Sequence, residues 1–111
     1  MTRKQDLEAL HDDVAAGIEP NQDKFRKVLG WHADQRHQRA VLAFGGSIDA
    51  AKALHEAVLP GWHWNVSKDG VARVVVPSIL RPIPIVGNSA NPARAWLLAI
   101  LAALIKMEKT Q

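Results

Sequence analysis

The segment WHWNVSKDGVARVVV, Trp62 to Val76, decides the fold of this chain, because it can be read to a strand register. Trp62, Trp64 and Val66 alternate with His63, Asn65 and Ser67, and Ala72, Val74 and Val76 alternate with Val71, Arg73 and Val75, the period-two pattern of two half-buried strands. A two-residue turn at Asp69-Gly70 would pair Val66 with Arg73 and set a charge among the tryptophans. A three-residue Lys68-Asp69-Gly70 loop, with Gly70 left-handed, instead pairs Val66 with Ala72, Trp64 with Val74 and Trp62 with Val76, leaving Asn65 opposite Arg73. The three-residue loop is therefore expected, with Trp62 and Trp64 facing the core, since each ring buries about 150 Å² or more.

Outward from the hairpin, Pro77, Pro82 and Pro84 each lack a backbone donor, so a strand within Ile79 to Val86 belongs at a sheet edge, with Val71 to Val76 in the middle of a meander. Asn91 caps and Pro92 opens a helix running to about Met107. On it Trp96, Ile100, Leu104 and Met107 form one stripe, and Leu97, Leu101 and Ile105 another. Upstream, Ser47 is an N-cap and Asp49 a first-turn carboxylate for a helix with Ile48, Ala51, Leu54 and Val58 on one stripe and Lys52, His55 and Glu56 outside, stopped by Pro60-Gly61. Nearer the start, Asp6 to Ala16 carries Leu7, Leu10, Val14 and Ala15 at helical spacing, and Asn21 caps a short helix with Phe25, Val28 and Leu29 on one face and Gly30 as its stop. Trp31 to Arg39 reads as a loop, and Ala40 to Phe44 as a strand or a lead-in pinned to the core.

The expectation is one domain, residues 1–111, of α+β class: a helix/sheet/helix sandwich with a three-stranded antiparallel meander over 40–111, and an N-terminal helical pair as lead-in over 1–39. The chain has no cysteine, which removes disulfides and thiolate metal sites and makes a reducing compartment the default. The charged residues between Arg3 and Asp13 leave no room for the apolar stretch of a signal peptide. The longest apolar run, Ala95 to Ile105, spans about 16 Å as a helix against the roughly 30 Å of a bilayer core, so no membrane partner is expected.

The strings Gly46-Ser47-Ile48-Asp49-Ala50-Ala51-Lys52-Ala53-Leu54-His55-Glu56-Ala57-Val58-Leu59-Pro60-Gly61-Trp62 and Asn91-Pro92-Ala93-Arg94-Ala95-Trp96-Leu97-Leu98-Ala99-Ile100-Leu101 resemble small phage and prophage proteins known as phage ABA sandwich domains, common in alphaproteobacterial genomes. The resemblance covers about the last two thirds of the chain. It implies a helix, sheet and helix sandwich expressed in a bacterial cytoplasm, and carries no activity, substrate or catalytic residue. The proline-rich Pro77 to Pro84 departs from the family's pattern.

The residues themselves point away from catalysis. His32 and His37 are five apart, not the four that aligns two imidazoles on a helix, and no thiolate accompanies them. Ser47, Asp49 and His55 have the residue types of a hydrolase triad, but a capping serine two helical turns from an outward histidine does not assemble one. No catalytic residue, metal ligand or cofactor is assigned.

Two kinds of surface remain. The net charge of +3, from 14 Lys and Arg against 11 Asp and Glu, is modest, but acids concentrate before Lys24 and none lies between Asp69 and Glu108. Lys24, Arg26, Lys27, Arg36, Arg39 and Arg73 are thus candidates for contact with a nucleic acid or another anionic partner, the bland alternative being a helix face paired with the acidic first helix. The other surface is the last helix, where Leu97, Leu98, Leu101 and Ile105 exceed what one three-stranded sheet buries. Either the N-terminal helices cover them or they form a protein interface, of which a homodimer is one form. The leading expectation is a non-enzymatic phage accessory protein that binds a phage or host protein. The alternatives are a nucleic-acid-binding regulatory module and an anti-defence inhibitor of a host nuclease.

Overall fold

The computed structural model describes residues 2–30, 35–76 and 84–108. In chain order the elements are α1 (Arg3–Ala15), α2 (Gln22–Leu29), α3 (Arg36–Phe44), α4 (Ile48–Val58), β1 (His63–Val66), β2 (Val71–Val75), β3 (Ile85–Asn88) and α5 (Pro92–Glu108). The three strands form one antiparallel sheet in the order β1-β2-β3. The chain is thus α+β, a meander packed with helices and preceded by helices, as its sequence predicts.

Most boundaries follow from local chemistry. Thr2 and Gln5 form a capping box, the Thr2 hydroxyl accepting from Gln5 N at 3.1 Å and the Gln5 side chain accepting from Thr2 N at 3.0 Å, so α1 starts three residues before the expected Asp6. Asn21 accepts from Lys24 N at 2.9 Å, Ser47 from Ala50 N at 3.1 Å, and Asn91 from Ala93 N at 3.0 Å and Arg94 N at 3.3 Å, each satisfying helix-end donors left without an intrahelical partner. The hairpin adopts the expected register: Val66 faces Ala72, Asn65 faces Arg73 and Trp64 faces Val74. Gly70 sits at φ +87°, and Gly70 N donates to Ser67 O at 3.2 Å to close the loop. The ladder ends at His63 and Val75, so Trp62 and Val76 are not a pair within it.

Two expectations are corrected. The span from Arg36 to Phe44, read as loop and then strand or lead-in, is helix α3. It begins from Gln35 in the left-handed conformation, with no side-chain cap, so it lacks the usual start signal. Its buried residues His37, Ala40, Ala43 and Phe44 do keep helical spacing once His37 is counted among them. The third strand, expected within Ile79 to Val86, runs over Ile85–Asn88; residues 79–83 of that expectation, with Pro77 and Pro82, lie outside the described residues.

The layer in the middle of the molecule is α5. The sheet packs on one side of it and α1, α3 and α4 on others, so ten of its residues, from Ala93 to Leu104, are buried. Leu97, Leu98 and Leu101 are therefore held within the chain's own core, and Ile105 is half-buried against it. The N-terminal helices cover the surplus apolar face, and no Leu97-Leu98-Leu101 surface remains for a second protein. β3 lies close against α5 because the approach is made by the smallest residues available, Gly87 on the strand and Ala95 and Ala99 one turn apart on the helix.

Candidate functional site

Alternation fixes the two faces of the sheet. Ala72 and Val74 are buried toward α5, so Val71, Arg73 and Val75 point away from it, with Arg73 flanked by Asn65 on β1 and Val86 on β3. Arg73 is exposed and Val86 is 44% exposed. Among the described residues no helix packs on this outer face. A shallow groove crosses it, lined by His63, Trp64, Asn65, Arg73, Val75 and Pro84.

Trp62 and Trp64 divide where the sequence treated them alike. Trp62 is half-buried and packs against the core. Trp64 turns toward α5 and lies on Trp96, ring centroids 4.5 Å apart and planes tilted by 34°, but remains 43% exposed. The reason is its strand. β1 is an edge, and α5 is centred on β2 and β3, so the helix covers less of a β1 ring. Beside Trp64 a second shallow depression is lined by Ile48, Lys52, Val66, Lys68 and Pro92, and Ile48, expected inside, is itself exposed. Trp64 thus stands where the outer sheet face meets an apolar shelf. We expect Trp64→Ala to lower stability by only about 1 kcal/mol in urea unfolding, because half its ring gives up no burial; a loss of about 3 kcal/mol or more would show the ring to be a core member.

His55, expected outside α4, is 1% exposed. The buried arc of α4 spans Ala50, Ala51, Leu54 and His55 because α3 and α5 both pack on it, rotating the inner side away from Ile48. Trp96 Nε1–H donates to His55 Nδ1 at 3.2 Å, and an indole N–H can only donate, so Nδ1 is the acceptor and the ring proton resides on Nε2. From there it reaches the Trp62 carbonyl at 3.0 Å. Burial holds the His55 pKa below its ordinary 6.5, against the upward pull of the Trp62 carbonyl and of Glu56. With Ser47 Oγ occupied as a cap and both His55 nitrogens engaged with tryptophans, the triad types are not brought together.

The cationic candidates are dispersed. Lys24 pairs with Asp13 and Lys27 with Asp6, both at 3.7 Å, and Arg26 pairs with Asp23, so α2 is largely neutralised by α1 and by its own first turn. Arg36 and Arg39 are half-buried on α3, and Arg73 lies apart on the sheet. Arg94 lies over the Phe44 ring at 3.9 Å and donates from Nε to the Phe44 carbonyl at 3.1 Å, closing the C-terminus of α3 onto α5. Trp31, His32 and Arg81 lie outside the described residues. Among the described residues no group of three His, Cys, Asp or Glu could hold a metal, and no helix is long and apolar enough to cross a membrane.

The surface that sequence reasoning missed is the outer sheet face. Its signal was present: Ala72 and Val74 pack on a helix that is apolar on every side, which leaves the strand's other face without an assigned cover. Compared with family models, with curated proteins and with solved structures, the chain matches none.

Proposed function

We propose that this protein is a non-enzymatic phage or prophage accessory protein that acts in the bacterial cytoplasm by binding a protein partner of the phage or the host. The observation that carries this is the outer face of the sheet, continuous at β1 with the half-exposed Trp64. Tryptophan is among the residue types that dominate binding energy at protein interfaces, above all when a partner can close over it. Trp64 is the most exposed of the described tryptophan and phenylalanine rings, and its indole is already fixed by Trp96, so little side-chain freedom is lost on docking. The phage assignment rests on the sequence strings Gly46 to Trp62 and Asn91 to Leu101, and the compartment on the absence of cysteine.

A nucleic-acid module reading relies on Lys24, Arg26 and Lys27, whose pairing with Asp13, Asp23 and Asp6 weakens it. The test is the full chain carrying a photoreactive phenylalanine analogue at position 64, with position 42 as the control because Leu42, on α3, is more open to solvent than Trp64. Irradiation in host cells is expected to yield a discrete protein adduct from position 64 and none from position 42. A nucleic-acid adduct, or a gel shift at low salt that disappears as salt rises, replaces this reading with the nucleic-acid one.

A further inference from the structure

We infer that the outer face of the sheet, centred on Arg73, docks a protein surface that presents a carboxylate among aliphatic side chains. This rests on the protein-binding reading above and specifies where and by what chemistry binding occurs. Three observations carry it. Arg73 is exposed at the centre of the middle strand and makes no ion pair among the described residues, unlike Lys24, Arg26 and Lys27. Its surroundings are aliphatic or neutral: Val71 and Val75 along β2, Val86 across on β3 and Asn65 across on β1. And the chain carries no Asp or Glu from Gly70 through Met107, so β2 and β3 bring no acid of their own to this face to compete for Arg73.

A guanidinium in that setting selects for a carboxylate. Its planar fork takes both carboxylate oxygens at once, and valines closing around the pair remove water that would otherwise screen it. A second copy of this chain is the wrong occupant, because face-to-face packing would set one Arg73 near the other with no acid between them. A single nucleic-acid strand fits less well. The face offers one guanidinium where phosphates recur along a strand, and the ring nearest to it, Trp64, already lies on Trp96.

The test uses the full chain as bait for a displayed library of randomised peptides. Enriched peptides are expected to carry Asp or Glu flanked by Val, Ile or Leu, and to shift the amide resonances of Val71, Arg73, Val75 and Val86. Arg73→Glu is expected to weaken them by at least about tenfold and, on reselection, to enrich Lys or Arg in place of the acid. Lys106→Glu, an exposed charge reversal on α5, should leave binding unchanged, and an unaltered unfolding midpoint shows that both variants fold. The inference is overturned if no peptide enriches, if enriched peptides lack an acid, if Arg73→Glu binds as well as the parent, or if an oligonucleotide displaces the peptide from Arg73. Peptides that map instead to Trp64 and Ile48 overturn it while leaving the protein-binding reading in place. A protein adduct at position 64 without enrichment here does the same.

Discussion

Gly87→Ala is expected to cost about 3 kcal/mol or more, lowering the midpoint of thermal unfolding by more than about 10 °C. Gly87 is in ordinary strand conformation, so alanine meets no dihedral penalty there and the whole effect is contact. A methyl at Gly87 would stand 2.1 Å from the Ala95 carbonyl oxygen, 2.6 Å from Ala99 N and 3.0 Å from the Leu98 Cβ. Two of these are main-chain atoms of α5, so no trimming of helix side chains makes room, and β3 must withdraw from the helix it covers. Gly70→Ala is the companion experiment, since it combines a left-handed φ of +87° with a methyl 1.7 Å from the Ser89 carbonyl oxygen. That alanine would also strain the loop that Ser89 joins, where Ser89 N donates to Gly70 O at 2.9 Å. Calorimetry reads both variants. A Gly87→Ala protein within about 1 kcal/mol of the parent would mean that β3 does not depend on its close seat against Ala95 and Ala99.

These glycines also show where the sequence was legible. Gly70 could be read in advance, because its conformation and the alternation around it are local: a register in which Val66 meets Ala72 is settled within fifteen residues. The capped helices α2, α4 and α5 were legible for the same reason. Gly87 could not be read, because its need for no side chain arises from a helix turn that begins eight residues later and folds back over it. The same distinction separates His55 from Ser47. A cap is a three-residue matter, whereas the inner side of α4 was decided by two helices packing at once, which turned Ile48 out and His55 in. Trp64 was assigned correctly to a face and wrongly to the core: alternation gives direction, but how far α5 reaches across β1 is a property of the assembled layers.

The buried histidine supplies the second large effect. Trp96→Ala is expected to cost about 3–5 kcal/mol, as for other fully buried large aromatic side chains, and to leave His55 Nδ1 without its donor. Trp96→Phe separates the two contributions: it keeps most of the volume and removes the N–H, and an orphaned buried acceptor costs about 1–3 kcal/mol. The pH dependence follows from the tautomer. Protonating Nδ1 would turn the acceptor of the Trp96 N–H into a second donor, and burial already disfavours the charged ring, so the folded chain binds that proton less readily than the unfolded one. The stabilisation is therefore fully present above pH 6.5, the ordinary histidine value, declines as pH falls below it because the unfolded chain takes up the proton first, and levels off below the lowered folded pKa. Urea unfolding of the parent and of His55→Gln at pH 7.5, 6 and 5 reads this. Glutamine can occupy both hydrogen-bonding positions but does not titrate, so the parent should lose more stability than the variant between pH 7.5 and 5. Equal losses would show that His55 is not held neutral between Trp62 and Trp96.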